Sequence, residues 1–290
     1  MHEKNINFLR CVKCSGRIYL DVLRTSSEVD EGFLICNNCK TVFPIIHKIP
    51  IIVEDFVSYI GNRSSLGGKL YDLSDTLPMK RFIKNSLSKI KKSKDDYSLV
   101  EKRWSKIYTS NRNSSFYSFI KNKLCELHTC ENVLELGSSI GIITNSLRKK
   151  HQNVFGVDIS FYATMIAKEK SFTNSDFFVA DILNHPFGKK KFELILALNI
   201  LEVVEPSKIL ESISKQLSNG HVLLTDPYDY DRGHNSVRLP LYEKDVRQKL
   251  QRLGFSITNK TNTPSSINWI LNINPRTKLI YKVDIIIGKK

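Results

Sequence analysis

Residues 133–141, Val-Leu-Glu-Leu-Gly-Ser-Ser-Ile-Gly, followed by 154–160, Val-Phe-Gly-Val-Asp-Ile-Ser, decide how this chain folds. The first run reads as a short buried strand that breaks at Gly137 into a tight turn and then a helix. The second reads as another buried strand, ending on the acid Asp158. Two adjacent parallel strands of an open α/β sheet leave a ligand crevice at their carboxyl ends. Glycines at 137 and 141 let the backbone approach that ligand where a Cβ would intervene. Asp158 can accept hydrogen bonds from the two hydroxyls of a ribose. The dinucleotide fingerprint G-x-G-x-x-G is not met; the spacing is Gly137-x-x-x-Gly141, with Glu135 two residues ahead.

The same order continues downstream. Residues 176–182 (Asp-Phe-Phe-Val-Ala-Asp-Ile) read as a third strand ending on Asp181, and 192–204 as a fourth strand with Asn199 at its end. Ile209, Leu210, Ile213 and Leu217 fall at helical spacing, and Asn219-Gly220 stops that helix. Residues 221–225 form a fifth strand, 241–253 a helix ended by Gly254, and 255–259 and 279–287 the last two strands.

This ordered set, across 129–290, resembles the Rossmann-like S-adenosylmethionine (SAM) methyltransferases, whose first motif is an acid, one residue, then glycine-x-x-x-glycine. The resemblance implies an α/β fold, a sheet with helices on both faces and an antiparallel last strand. It implies SAM as cofactor, with the glycine loop on the methionine part rather than on a pyrophosphate. Its cofactor positions fall here on Glu135, Gly137, Ser138, Gly141, Asp158, Ile159, Asp181, Ile182 and Asn199. Common members carry glycine or cysteine where Ser138 and Ser139 stand, and a histidine that Glu202-Val203-Val204 lacks.

The first 56 residues are a different object. Cys11-x-x-Cys14 and Cys36-x-x-Cys39 are two paired thiolate knuckles separated by 21 residues, the spacing of a structural zinc site. Two disulfides or a redox pair are the competing readings. No signal peptide opens the sequence, so a reducing, cytoplasmic setting is expected and disulfides are not. A closed four-sulfur shell would fold the domain and take no part in catalysis. The run Phe33–Val53 resembles the small zinc-ribbon proteins that activate tRNA, rRNA and release-factor methyltransferases, with "C-x-x-C-x-x-x-Y/F-P-I-x-x-x-I-P". The resemblance implies a docking or substrate-reading module, here fused to the catalytic domain. With four cysteines available, His47 reads as a surface residue.

Between these parts, 57–76 reads as a linker, with Gly61, Ser64-Ser65 and Gly67-Gly68. Residues 77–128 read as a basic helical segment that caps the cofactor and substrate pocket, with Trp104, Tyr108 and Tyr117 as candidate lining. The net charge of +15 is uneven: zero over 1–56, +9 over 57–128 and +6 over 129–290. Lys80-Arg81, Lys84 and Lys89–Lys94 could attract phosphates, but no aromatic side chains interleave them to stack bases. Lysine on solvated helix faces is the bland alternative. Hydrophobic residues make up 41%, and no apolar run approaches a membrane span.

Methyl transfer is an in-line displacement that needs alignment in a dry pocket; a base is needed only if the acceptor must lose a proton. Asn199-Ile200-Leu201-Glu202 is not the Asn/Asp-Pro-Pro-Tyr signature of base and glutamine N-methyltransferases. Asp226-Pro227-Tyr228-Asp229-Tyr230-Asp231, just past the fifth strand, could bind a cationic amine or imidazole, with Asp226 and Tyr228 as candidate catalytic groups. Arg276 could pair with a substrate carboxylate, or be an ordinary surface arginine. A small-molecule or peptide N- or O-acceptor is therefore favoured, with RNA methylation as the alternative and a non-catalytic zinc-ribbon adaptor as the second.

Overall fold

The computed structural model describes residues 1–91, 95–169, 173–232 and 237–290. The chain divides into two compact units: Met1–Lys106 with Ser139–Gly141 and Val157–Gly188, and Ile107–Ser138 with Ile142–Gly156 and Lys189–Lys290. Its strands and helices, in chain order, are β1 Ile18–Thr25, β2 Val29–Cys36, β3 Val42–Ile46, β4 Ile49–Pro50, α1 Phe56–Gly61, α2 Leu66–Leu73, α3 Leu77–Leu87, α4 Ser98–Ser110, α5 Ser115–Cys125, β5 Asn132–Leu136, α6 Thr144–Leu147, β6 Asn153–Asp158, α7 Phe161–Glu169, β7 Ser175–Val179, β8 Phe192–Leu198, α8 Pro206–Gln216, β9 Leu217–Asp226, α9 Glu243–Arg252, β10 Ser256–Ile257, β11 Ile267–Asn274 and β12 Thr277–Lys289. One four-stranded sheet runs β1-β2-β3-β4. A larger sheet runs β10-β12-β9-β8-β5-β6-β7, with β11 paired to β12 off this path.

In the first unit the four-stranded sheet is antiparallel throughout. After β4 the chain does not leave the fold. Ile51 forms a parallel bridge with Val179 at the end of β7, and the Ile52 N–H donates to the Val179 carbonyl at 2.8 Å. Ile46, Ile49, Ile51 and Val53 share one buried cluster with Phe56, Tyr59 and Ile60 of α1, Leu66 and Leu70 of α2, Met79 and Ile83 of α3, and Phe161, Tyr162 and Val179.

That cluster explains why 57–76, expected as a linker, is largely helical. Asp55 caps α1 by accepting the N–H groups of Val57 at 2.9 Å and Ser58 at 3.2 Å. The apolar residues at 56, 59, 60, 66 and 70 then bury, while the serines at 64 and 65 fall in the turn between α1 and α2. Small residues read as a spacer thus serve close packing: a Cβ on Gly67 would sit 2.3 Å from Leu87.

A buried charge network ties the same pieces together. The Lys168 ammonium of α7 pairs with Glu28, between β1 and β2, at 2.5 Å and with Asp176 of β7 at 2.8 Å. Asp176 also accepts the His2 N–H at 2.9 Å and the Asn5 amide at 2.7 Å. Burial opposes its charge, but Lys168 and the neighbouring donors outweigh that and hold the Asp176 carboxyl far below the usual carboxylate range.

In the second unit β5 is buried at every position, as a strand flanked on both faces should be. It pairs in parallel with β8, and β8 in parallel with β9. The antiparallel last strand is present: β12 runs against β9 from Asp284, opposite Asp226, to Lys289, opposite His221. The first half of β12, up to Val283, pairs instead with β11 as a hairpin. One strand therefore serves two partners, changing over at Asp284. Asp284 is buried there, gripped by both terminal nitrogens of Arg247 at 2.6 and 3.0 Å.

Asp176→Ala should leave Lys168 with Glu28 alone and the His2 and Asn5 donors without their acceptor, and destabilise the protein by about 3 kcal/mol, the lower end of the cost of breaking a buried pair. Denaturant unfolding of the variant measures this. Because the folded-state pKa is depressed, the wild-type stabilisation is full above the unfolded-state value of about 3.9 and fades as pH falls below it.

Candidate functional site

The four cysteines converge in the first unit. Sγ of Cys11 lies 3.6 Å from Cys39 and Sγ of Cys14 lies 3.4 Å from Cys36, and all four sulfurs fall within 4.8 Å of one another. A tetrahedral zinc with Zn–S near 2.3 Å sets sulfurs about 3.8 Å apart, so this donor set fits the ion. The two knuckles share one backbone design. Ser15 N–H donates to the Cys11 carbonyl at 2.8 Å, and Lys40 N–H to the Cys36 carbonyl at 3.1 Å. Ser15 and Lys40 both take φ of 58°, the left-handed turn that brings each pair of sulfurs round to the same side. Burial pushes the Cys11 thiol up to about 12; a bound dication offsets that cost and favours thiolates. His47 is exposed in the turn between β3 and β4, outside the cluster.

The glycine loop supplies the second site. In the second unit, Glu135 is 3% exposed at the heart of β5 and accepts the Thr144 hydroxyl at the start of α6. Gly137 has φ of 73°, and a Cβ there would meet Ile200 at 2.6 Å, so the turn admits no larger residue. Ser138 is buried, and its hydroxyl has no hydrogen-bond partner among the described residues, a polar atom beside a glycine cradle that suits a polar ligand such as the methionine part of SAM. Asn199 also turns left-handed, at φ 56°, and its side-chain oxygen accepts the Thr225 hydroxyl at 2.8 Å.

In the first unit, Ser139 (φ 47°) and Gly141 (φ 70°) continue the left-handed path. The Ser139 N–H donates to one oxygen of Asp158 at 2.8 Å, and the Ser160 N–H donates to the other at 2.8 Å. Each oxygen keeps a lone pair, which is what a ribose diol requires. Desolvation raises the Asp158 carboxyl, while the two N–H donors and the Arg63 charge pull it down. Ile159 is 41% exposed, Ile182 is buried, and Asp181 is exposed with one oxygen on the Leu183 N–H at 2.8 Å.

The acids and tyrosines after β9 are placed differently from the expectation. Asp226 is 1% exposed, and its oxygens accept the Leu201 and Tyr228 N–H groups, each at 2.8 Å. The Tyr228 hydroxyl donates to Asp284 at 3.2 Å, and burial pushes its phenol far above the usual value. Both residues therefore pin the loops after β8 and β9. The cause is the β9–β12 register, which puts two buried acids opposite each other and obliges each to find donors.

Among the aromatic candidates, Tyr108 stacks on Trp269 with centroids 6.0 Å apart, and Phe116 links Trp269 to Tyr117. Arg276 is exposed in the hairpin turn. Of the basic run, Arg81, Lys84, Lys89 and Lys91 are exposed, while Lys92 and Lys94 lie outside the described residues. Sequence reasoning missed Arg63 and Glu101, which pair at 2.7 Å in the first unit. The signal was a Tyr59-x-x-x-Arg63 step, one helical turn, inside the stretch read as a linker.

Purified protein should carry about one zinc per chain by elemental analysis. Cys36→Ser should lower that content and also destabilise α1 to α3, whose apolar residues share the ribbon's core; unfolding confined to 1–56 would contradict the shared cluster.

Comparison with known proteins agrees with this geometry. Residues 134–225 match the family described as a methyltransferase domain, and residues 3–46 match the Trm112p-like proteins. No curated protein sequence matches the chain. Among solved structures, magnesium protoporphyrin IX methyltransferase from Synechocystis PCC 6803 with bound SAH is similar at a TM-score of 0.50 and 16% identity, over 67% of this chain and 94% of that one. The complex between the Haloferax volcanii Trm112 methyltransferase activator and the putative methyltransferase is similar at a TM-score of 0.51 and 16% identity, over 64% and 93%. At that identity the likeness speaks to fold. Among the described residues no helix is long and apolar enough to cross a membrane. Residues 134–225 thus match the methyltransferase domain family, behind a Trm112p-like stretch whose four cysteines fit a zinc ion.

Proposed function

We propose that this protein transfers the methyl group of SAM to a nitrogen or oxygen of a small-molecule or peptide acceptor. The observation that carries the cofactor half of this reading is the Asp158 carboxylate, fixed by the Ser139 and Ser160 N–H groups with lone pairs to spare. Asp158 takes the ribose hydroxyls, Ile159 and Ile182 suit the apolar faces of adenine, and Asp181 its amino group. Glu135, Gly137, Ser138, Gly141 and Asn199 belong to the methionine end. Bound SAM supplies the methyl as an electrophilic sulfonium. The protein's task is to align donor and acceptor and to exclude water.

Asp226 and Tyr228 serve this chemistry by holding the strand-end loops rather than by moving a proton, since their polar atoms are engaged. Asp229 and Asp231, on the same loop, are the acids that would attract a cationic acceptor. The Trm112p-like domain acts as an activator built into the chain. The Haloferax volcanii pair, an activator in complex with a putative methyltransferase, supports that reading.

RNA is the second reading, and the outer face of α3 favours it. Met79, Ile83 and Ser86 bury, which turns Arg81 and Lys84 outward beside Lys89 and Lys91.

Asp158→Ala should weaken SAM binding by about 1.5–3 kcal/mol in calorimetry, the scale of a hydrogen bond to a charged group; unchanged affinity would sink the cofactor assignment. For the acceptor, labelled SAM is offered with total RNA or with a metabolite extract. Labelling of the extract, retained when Arg81, Lys84, Lys89 and Lys91 are neutralised, is expected. Labelling of RNA that is lost in that variant, with binding that falls by about 0.7–0.9 log units per log salt for each phosphate contact, would reverse the preference.

A further inference from the structure

Asp181 and Ile182 stand on a loop that hangs from the ribbon. The loop begins where the Ile52 N–H donates to the Val179 carbonyl at 2.8 Å and the Ala180 N–H to the Asp158 carbonyl at 3.0 Å. It then makes one tight turn: the Leu183 N–H holds an oxygen of Asp181 at 2.8 Å, and the Asn184 N–H holds the Asp181 carbonyl at 3.1 Å. From that turn the Asn184 side-chain amide reaches two parts of the ribbon, donating to the Val12 carbonyl at 3.2 Å and to Glu54 Oε1 at 2.6 Å. Further along, the Arg10 N–H donates to the Pro186 carbonyl at 2.6 Å. At Gly188, where φ is 54°, a Cβ would meet Arg10 Cγ at 2.9 Å.

Val12 lies between Cys11 and Cys14. The Cys11 N–H donates to the Gly16 carbonyl at 3.0 Å and the Ser15 N–H to the Cys11 carbonyl at 2.8 Å, so the knuckle backbone closes around Val12. Bound zinc holds both sulfurs of this knuckle on one ion and so fixes the turn between them. Strand β7 needs no such help, because Val179 belongs to the buried apolar cluster. The turn after it is different. Ile182 is buried, but Asp181 and Leu183 on either side are exposed and Asn184 is half-buried. Hydrogen bonds rather than packing therefore set the direction of the Asp181 carboxylate, and the outermost of them end on the knuckle.

We propose that Asn184 is a positioning residue that joins the Cys11–Cys14 knuckle to the cofactor loop, so that a loaded zinc site raises the affinity for the adenosine end of SAM. The inference rests on the reading that Asp181 meets the adenine amino group, and it gives the built-in activator a physical route to the cofactor. Asn184 acts through Asp181 on one side and through Val12 on the other. Coupling between two sites is reciprocal. SAH must therefore raise the affinity for zinc by the same factor by which zinc raises the affinity for SAH, and replacing Asn184 should weaken both effects at once.

The test uses the full-length protein with SAH and with S-inosylhomocysteine, in which an oxo group replaces the adenine amino group. Calorimetry on the zinc-loaded wild type should give tighter binding of SAH, and Asp181→Ala should erase the difference. Asn184→Ala should weaken SAH binding by about fivefold, the effect of one ordinary hydrogen bond, and shrink the preference for SAH over the inosine analogue. Asn184→Asp, which keeps the shape but sets an acceptor against the Val12 carbonyl and Glu54, should lose at least as much. Zinc affinity, read by competition with a chromogenic chelator, should rise about fivefold in wild type at saturating SAH, the low end of coupling between two sites. In Asn184→Ala SAH should barely move it. A merely structural role would lower thermal stability without changing the preference for SAH or its effect on zinc. Full SAH affinity in Asn184→Ala, an undiminished effect of SAH on zinc there, or no such effect in wild type overturns the role of Asn184. A wild type that does not distinguish the two ligands, with SAH affinity unchanged in Asp181→Ala, overturns the adenine reading beneath it.

Discussion

The first unit depends on one apolar cluster that no single element could bury alone. The ribbon contributes Ile46, Ile49, Ile51 and Val53 to it. Helices α1 to α3 and the residues at α7 and β7 supply the rest. The parallel bridge from Ile51 to Val179 fixes the register in which these surfaces meet. A ribbon built in this way has four cysteines that fit a zinc ion at one end and its neighbours' side chains packed against the other.

Charge follows the same logic of shared dependence. Several buried ions of this protein are both paired and hydrogen-bonded: Lys168 between Glu28 and Asp176, Arg63 on Glu101, Arg247 on Asp284. The Lys168–Glu28, Arg63–Glu101 and Arg247–Asp284 pairs join residues far apart in sequence and so tie separate elements together. Around Asp158 the carboxylate is held chiefly by the Ser139 and Ser160 N–H groups.

Much of this was legible in the sequence because the signals were local. Four cysteines at fixed spacing, a glycine turn between apolar runs, and acids at strand ends each follow from backbone or metal geometry within a few residues. The antiparallel last strand was legible too, through the order of the motifs. What stayed hidden was set by partners distant in the chain. Serines and glycines in 57–76 look like a spacer until the apolar residues between them are seen to face the ribbon. Asp226 and Tyr228 look like acceptor-facing groups until Asp284, opposite Asp226 in the β9–β12 ladder, and the loop amides are seen to engage them. Arg63 carried only the Tyr59-x-x-x-Arg63 step; its neighbours in space give that step meaning.

The double allegiance of β12 has a mechanical meaning. Up to Val283 the strand belongs to a hairpin with β11, and from Asp284 it belongs to the sheet through β9. The strand is continuous, so the hairpin behaves as a lever whose fulcrum is Asp284. Arg247 clamps that fulcrum, and Ser265, just ahead of β11, and Tyr228, just after β9, both reach the same carboxylate. Any tilt of the outer arm would turn about this point and be delivered to the loop that follows β9. The far end of the arm is steadied by Asn111, whose side chain exchanges hydrogen bonds with the backbone of Asn272 as a neighbouring strand would. A short amide at the end of α4 and a buried acid at the fulcrum thus set how stiffly the hairpin is held.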